Sequence, residues 1–80
     1  MRNGKSLSSR MRITILGAAK SGLAAAELAA RNGETVFVSD AKPLDKAGDA
    51  AQLLASRNIA SEFGGHTDLA TKADLIIVSP

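Results

Sequence analysis

The segment 12–40 combines two short apolar runs with a glycine-bounded loop and an alanine-rich stretch, and no other feature of the sequence constrains the fold as strongly. The first run is β-branched and stops at Gly17, as a buried strand does at a turn. We predict a strand at 12–16, a helix of strong helix formers at 22–32 and a second strand at 35–39. This order and spacing indicate a parallel crossover unit.

The rest of the chain repeats the alternation. A helix is predicted at 43–58, with Gly48 weakening its first turns, and a third strand at 59–63. A short helix at 67–72 leads to a fourth strand at 74–79, whose unbroken apolar run is typical of a strand covered on both faces. We therefore predict an α/β fold, a Rossmann-like doubly wound parallel sheet of about four strands in the order 3-2-1-4.

This order leaves the fourth strand at an edge of the sheet, although its apolar sequence suits an internal position. We therefore expect the sheet to be truncated, with more sheet beside this strand in a larger protein. The isolated chain is expected to self-associate through this edge or to bury it in crystal contacts, and we expect this association to have no biological role.

Charge is unevenly distributed along the 80-residue chain. Residues 1–12 carry four basic and no acidic side chains, whereas six bases and eight acids follow. We predict a basic flexible leader, or a cloning remnant, at 1–10 and one folded domain at 11–80.

Neither nucleic acid nor a membrane is expected as a partner, because the sequence has two Phe as its only aromatic residues and no apolar run of transmembrane length. The protein is predicted to be cytoplasmic.

The loop 17–22, Gly-Ala-Ala-Lys-Ser-Gly, has the clearest link to a ligand. Gly17 permits a tight turn, Gly22 permits close packing of helix on strand, and a helix N-terminus presents free N–H groups to an anion such as a diphosphate. The dinucleotide fingerprint G-x-G-x-x-G is met only in part, because its middle glycine is replaced by Ala19. A turn without a ligand is the alternative.

Asp40 follows the second strand, where it can accept hydrogen bonds from a ribose hydroxyl or a uracil N3–H. Its alternative role is a turn or helix-capping aspartate before Pro43. If Asp40 binds the ligand, its loss is expected to leave the fold nearly intact, because an exposed turn aspartate contributes little to stability. If Asp40 only caps the turn, its loss is expected to lower the melting temperature. Lys42 either neutralises a phosphate or stays solvated. His66 is the one histidine, and without a second ligand at metal spacing it is predicted to be an ordinary loop residue.

No catalytic residue and no metal site are predicted. Ser21 and Ser79 are not part of a G-x-S-x-G elbow, and there is no cysteine to act as a nucleophile. A G-x-x-x-x-G-K-[ST] loop for ATP is also missing from the sequence.

Three segments together resemble the amino-terminal domain of the Mur ligase family. They are Ile-Leu-Gly-Ala-Ala-Lys-Ser-Gly at 15–22, Val-Ser-Asp at 38–40, and Gly-His at 65–66 followed by Ala-Asp-Leu-Ile-Ile-Val-Ser-Pro at 73–80. The resemblance covers about 12–80 and is nearest to the branch of the family that adds D-glutamate.

This resemblance implies that the domain holds the UDP part of UDP-N-acetylmuramoyl-L-alanine, without a cofactor of its own. In the parent enzyme a central P-loop domain would bind ATP and Mg²⁺, a third domain would bind the amino acid, and ligation would pass through an acyl phosphate. Lys20, Ser21 and Gly22 would lie along the uridine and diphosphate. Asp40, with Ala41 and Lys42 following it, would hold the uracil edge and nearby groups. Ala41 stands where some members have a hydroxyl-bearing residue, so one contact is lost. The predicted UDP-substrate-binding residues are Gly17, Lys20, Ser21, Gly22, Asp40, Ala41, Lys42 and Ser79.

Two alternative functions remain open at this point. One is an NAD(P)-binding domain of an oxidoreductase, and the other is a regulatory or scaffold domain that binds no nucleotide.

Overall fold

A computed structural model describes residues 10–79. The predicted leader at 1–10, apart from Arg10, lies outside the described residues, as does Pro80. The strands are β1 (Arg12–Leu16), β2 (Thr35–Asp40), β3 (Ala60–Phe63) and β4 (Leu75–Val78). The helices are α1 (Lys20–Arg31) and α2 (Ala50–Ser56), and two short 3-10 helices lie at Leu44–Lys46 and Asp68–Thr71.

The strands form one four-stranded parallel sheet in the order β3-β2-β1-β4, which confirms the predicted fold class and strand order. β1 lies inside the sheet, where Ile15 is level with Val38 on one side and with Ile77 on the other. Since all strands run in the same direction, their carboxyl ends share one edge of the sheet, and the loops that follow them meet there.

The core lies between one face of the sheet and the helices α1 and α2. Ile15, Val38 and Leu54 are completely buried in it, and so is Ala26 of α1. Leu54 fills the space under α2 with a large side chain. The small side chain of Ala26 lets the axis of α1 approach the strands closely, which explains the alanine-rich sequence of that helix.

The opposite face of the sheet carries buried polar side chains. Thr14 and Ser39 are 1% and 0% exposed, and they alternate with the core residues along β1 and β2. The 3-10 helix Asp68–Thr71 contacts both strands and contributes the buried Ala70. A buried hydroxyl requires hydrogen-bond partners, and the partners of Ser39 belong to the site described below.

The predicted helix at 43–58 is wrong in its first half. Gly48 has φ +62°, in the left-handed region, so the helical path cannot continue through it and α2 begins only at Ala50. The chain before Gly48 forms the 3-10 helix Leu44–Lys46 instead. The predicted short helix at 67–72 is likewise a 3-10 helix, of four residues.

The prediction that the fourth strand is covered on both faces is also wrong for the described residues. Leu75, Ile76 and Val78 are 42%, 44% and 71% exposed, and Ile77 is the residue of β4 that packs against the core. The predicted edge position of this strand is confirmed by the strand order.

Candidate functional site

The loops after β1, β2 and β4 meet at the carboxyl edge of the sheet. The amide of Gly17 donates a 2.8 Å hydrogen bond to the carbonyl of Ser39 at the end of β2. On the other side, the amide of Ser79 donates a 2.9 Å bond to the carbonyl of Leu16. These bonds continue the sheet ladder past the strand ends, so the predicted site residues of the three loops come together around Gly17.

Gly17 and Gly22 make the turn between β1 and α1 as tight as the sequence predicts. Gly17 has φ +110°, a conformation that side chains with a Cβ rarely adopt. A Cβ added to Gly22 would lie 2.0 Å from the carbonyl oxygen of Gly17 and 3.3 Å from Cβ of Ser79. The first turn of α1 therefore packs directly on the end of β1 and on the segment that follows β4.

Within residues 10–79, no side chain caps the N-terminus of α1. Its N-cap residue, Ala19, makes no side-chain hydrogen bond to the first turn, and that turn contains no acidic residue. Lys20, the first helical residue, is exposed and adds a positive charge at the positive end of the helix dipole. Free N–H groups, the dipole and this ammonium together favour an anion at the start of α1.

Two hydroxyls lie beside this helix N-terminus. Oγ of Ser21 and Oγ of Ser79 are 2.7 Å apart and share a hydrogen bond that joins residues 58 positions apart in the chain. Since one hydroxyl donates in this bond, the hydrogen of the other is free to point to a ligand. The sequence predicted both residues in the site but not the contact between them.

Asp40 connects two of the loops. Its Oδ2 accepts a 2.7 Å hydrogen bond from the amide of Ala18, and its Oδ1 accepts a 2.8 Å bond from the amide of Lys42. Partial burial acts to raise the pKa of Asp40. The two backbone donors, with the charges of Lys42 and His66, outweigh it and lower the pKa below the ordinary value. The carboxylate is therefore ionised at neutral pH and keeps lone pairs for further donors.

Ala41 and Lys42 are exposed beside this carboxylate. The amide of Gly64, after β3, donates to the carbonyls of Asp40 and Lys42 at 3.0 Å and 2.8 Å. The loop after β3 is thereby held against the loop after β2, next to the predicted site.

A hydrogen-bonded group that the sequence did not predict joins the ends of β2 and β3 to the loop that follows β3. The buried Ser39 donates from Oγ to Oε2 of Glu62 at 2.7 Å, and the same Oγ lies 2.6 Å from Nδ1 of His66. Thr67 donates to both oxygens of Glu62, from its hydroxyl at 2.6 Å and from its amide at 2.9 Å. The hydroxyl of Thr67 first, then its amide and Ser39, lower the pKa of Glu62, so this carboxylate is ionised.

One feature of the sequence could have revealed this hydrogen-bonded group: Ser39 and Glu62 both lie near the ends of predicted strands. The two residues are level with one another in the pairing of β2 with β3. Without the register of that pairing, neither could be assigned a partner from the sequence. We refer below to Ser39, Glu62, His66 and Thr67 as the Ser39 network.

Two surface depressions lie away from this edge. One, of about 600 Å³, is lined by Glu27, Arg31 and Arg57, where Arg57 Nε donates to Glu27 at 2.8 Å. The other, of about 300 Å³, lies over the start of β1 and β2 and is lined in part by Leu69.

Within residues 10–79, no group of three or more metal-binding side chains is close enough to hold an ion. In the same residues, no helix has the length and apolar character to cross a bilayer.

The parallel sheet of order 3-2-1-4, with a tight glycine turn leading into α1, defines the chain as a Rossmann-like α/β domain. A family model described as the MurD N-terminal domain matches residues 12–80, and the chain belongs to that family. This confirms the resemblance found from the sequence.

Curated relatives agree with this assignment. The UDP-N-acetylmuramoylalanine--D-glutamate ligase of Chlorobium phaeobacteroides (strain BS1) is 47% identical over 70 residues, covering 86% of this chain and 14% of the relative. The protein of the same name from Salinibacter ruber is 43% identical over 72 residues, covering 89% of this chain and 15% of the relative. The chain thus spans about one seventh of the length of these relatives.

A solved structure shares the fold. The HOCl-induced flavoprotein disulfide reductase RclA from Escherichia coli superposes with a TM-score of 0.63 over 92% of this chain and 22% of its own. The sequence identity is 16%, so this similarity shows the fold alone.

Proposed function

We propose that this chain is the substrate-binding amino-terminal domain of an ATP-dependent UDP-N-acetylmuramoyl-L-alanine:D-glutamate ligase, and that it holds the UDP part of the substrate. Membership of the MurD N-terminal domain family supports a ligase parent. The observation that carries the binding role is the uncapped start of α1 beside the hydroxyls of Ser21 and Ser79.

The diphosphate is assigned to the start of α1. Its oxygens can accept hydrogen bonds from the free N–H groups of the first turn and from whichever serine hydroxyl is not donating to the other. Lys20 supplies a positive charge, and Gly17 and Gly22 let the backbone approach without an intervening side chain. These groups are donors or cations, which suits a ligand made only of acceptors at this point.

The uridine is assigned to the loop after β2. Asp40 is an ionised acceptor, so it suits the donors of a nucleoside, either the ribose hydroxyls or the uracil N3–H, and repels a phosphate. Ala41 and Lys42 flank this position. The donors thus lie at the start of α1 and the acceptor lies after β2, on the same edge of the sheet. The ligand can therefore bind in one orientation, with its diphosphate at α1 and its nucleoside at Asp40.

The rest of the reaction belongs to the parent enzyme in this proposal. ATP and Mg²⁺ would be bound by a central domain, and the D-glutamate by a third. Residues 11–80 would be the UDP-binding domain, preceded by a basic leader at 1–10. No residue of this chain is assigned a catalytic role, and the cytoplasm is the proposed location.

Binding of three ligands tests the proposal. Isothermal titration of the chain with UDP, NADH and NADPH should show weak binding of UDP and none of either dinucleotide, because Ala19 replaces the glycine that allows close contact with a dinucleotide pyrophosphate. Tighter binding of a dinucleotide than of UDP would favour the oxidoreductase alternative.

Matched serine variants sharpen this test. Ser21→Ala removes a proposed phosphate contact and should weaken UDP binding by about threefold to tenfold, the effect of one hydrogen bond. Ser56→Ala is the control, since Ser56 is also an exposed helical serine but lies at the end of α2. Equal affinity of both variants for UDP would contradict the assignment of the diphosphate to α1.

A further inference from the structure

We propose that His66 is a nucleoside-contacting residue of the site, and that the Ser39 network holds its imidazole with Nδ1 protonated and Nε2 free to accept a hydrogen bond from the ligand. The inference rests on the proposed function and adds to it a specificity-determining residue.

The proton positions follow from the chemistry of the network. Glu62 is ionised and can only accept, and a serine hydroxyl has a single hydrogen. That hydrogen lies in the 2.7 Å bond from Ser39 to Glu62, so Ser39 cannot also donate to His66. The 2.6 Å contact must therefore be a bond from Nδ1–H of His66 to Oγ of Ser39. In the neutral ring this leaves Nε2 as an acceptor.

The network is anchored well enough to determine this tautomer. Ser39 is completely buried, so water cannot replace its partners. Thr67 binds both oxygens of Glu62 and leaves the carboxylate one orientation. His66 itself is exposed, so its free nitrogen can reach a ligand.

His66 lies beside the position assigned to the nucleoside. The loop that carries it is held to Asp40 by the amides of Gly64 and Gly65, which lie 3.0 Å and 3.4 Å from the Asp40 carbonyl. The ring is close enough for its charge to affect the carboxylate of Asp40. In this proposal a nucleoside at this edge of the sheet meets two acceptors, a carboxylate oxygen of Asp40 and Nε2 of His66. A ribose diol, or a ribose with a uracil imide, has the two donors that suit them.

Because His66 is the single histidine, nitrogen NMR of the 15N-histidine-labelled chain reports on it without overlap. In mildly alkaline buffer, where an imidazole is neutral, the free protein should show a protonated Nδ1 and an unprotonated Nε2. An Nε2–H tautomer in this spectrum would overturn the proposal at once.

Addition of separate parts of the ligand tests the contact. In the uniformly 15N-labelled chain, uridine should shift the Nε2 resonance, and inorganic pyrophosphate should shift the amides of Ser21 and Gly22 without moving Nε2. If UDP shifts those amides and leaves Nε2 unchanged, His66 is not a contact although the proposed function stands. If UDP shifts nothing, the proposed function fails and the inference fails with it.

Two variants of the exposed His66 separate its contacts. In His66→Asn the amide nitrogen can replace Nδ1 against Ser39, but nothing replaces Nε2, so uridine affinity should fall by about threefold to tenfold while the melting temperature stays near that of the parent chain. His66→Gln places an amide oxygen near the former Nε2 and should restore part of the affinity. Unchanged uridine affinity in both variants would show that Nε2 meets no ligand.

Discussion

The carboxylate of Asp40 accepts a 2.7 Å hydrogen bond from the amide of Ala18, 22 residues earlier in the chain. Ala18 is 9% exposed, so its amide has little access to water. The residue assigned to the nucleoside therefore also holds the turn that leads to the proposed phosphate position. Loss of this side chain should affect both the geometry of the turn and the binding of the ligand.

Asp40→Ala should lower the free energy of unfolding by about 1–3 kcal/mol, because it leaves the Ala18 amide without its acceptor. This differs from the expectation drawn from the sequence, in which a turn aspartate contributes little. Urea unfolding measures the effect. Asp45→Ala is the control, since Asp45 is exposed and its side chain makes no hydrogen bond within residues 10–79. Equal stability of the two variants would show that the Ala18 contact is dispensable.

Gly22→Ala should lower the free energy of unfolding by about 3 kcal/mol, as overpacking does at a site that cannot expand. Alanine is favoured over glycine in a helix by about 1 kcal/mol, but the added Cβ would lie 2.0 Å from a backbone carbonyl oxygen. The clash outweighs the propensity. In the control, Gly48→Ala, the added Cβ meets no atom of residues 10–79 within 4 Å. Its cost should be only the left-handed conformation, about 1 kcal/mol. A thermal unfolding series in which Gly22→Ala is the more stable variant would contradict this account of the turn.

Acid should destabilise the chain through Asp40 and Glu62. Both have a pKa below the ordinary values of 3.8 and 4.5, so near those values the unfolded chain binds more protons than the folded chain. The stability they contribute is therefore present above the ordinary values and is lost as the pH falls through the lowered ones. Urea midpoints should fall steadily below about pH 5. In Glu62→Gln the acid dependence should be shallower, and a slope equal to that of the parent would exclude Glu62 as a source.

The outer edge of β4 should cause self-association of the isolated chain. No strand within residues 10–79 pairs with that edge, and Val78 is 71% exposed. A charged side chain protects such edges, so Val78→Lys should reduce association. Leu44→Lys is the control, because Leu44 is 62% exposed but lies outside the sheet. Sedimentation over a concentration series measures both. A parent chain that stays monomeric at every concentration would contradict the prediction.

Much of the fold could be predicted because strands and turns carry local signals. The bounds of β1 were predicted as observed, since its β-branched run stops at Gly17. The helix at 43–58 could not be placed correctly, because the alanine and leucine spacing there does not reveal that Gly48 takes a left-handed conformation. Helix propensity favours a helix through this segment, but the left-handed conformation of Gly48 prevents one, and α2 begins only after it.

The features of the site also fall into two groups, those that depend on neighbouring residues and those that depend on the whole fold. The sequence by itself determined the tight glycine turn, the start of a helix after it, and a carboxylate at the end of the second strand, because each depends on a few consecutive residues. Only the tertiary structure decided that Ser21 meets Ser79 and that Asp40 holds the amide of Ala18. It also decided that Ser39 orients His66. These contacts join residues far apart in the chain, and their partners depend on the strand order and register that packing of the whole sheet selects.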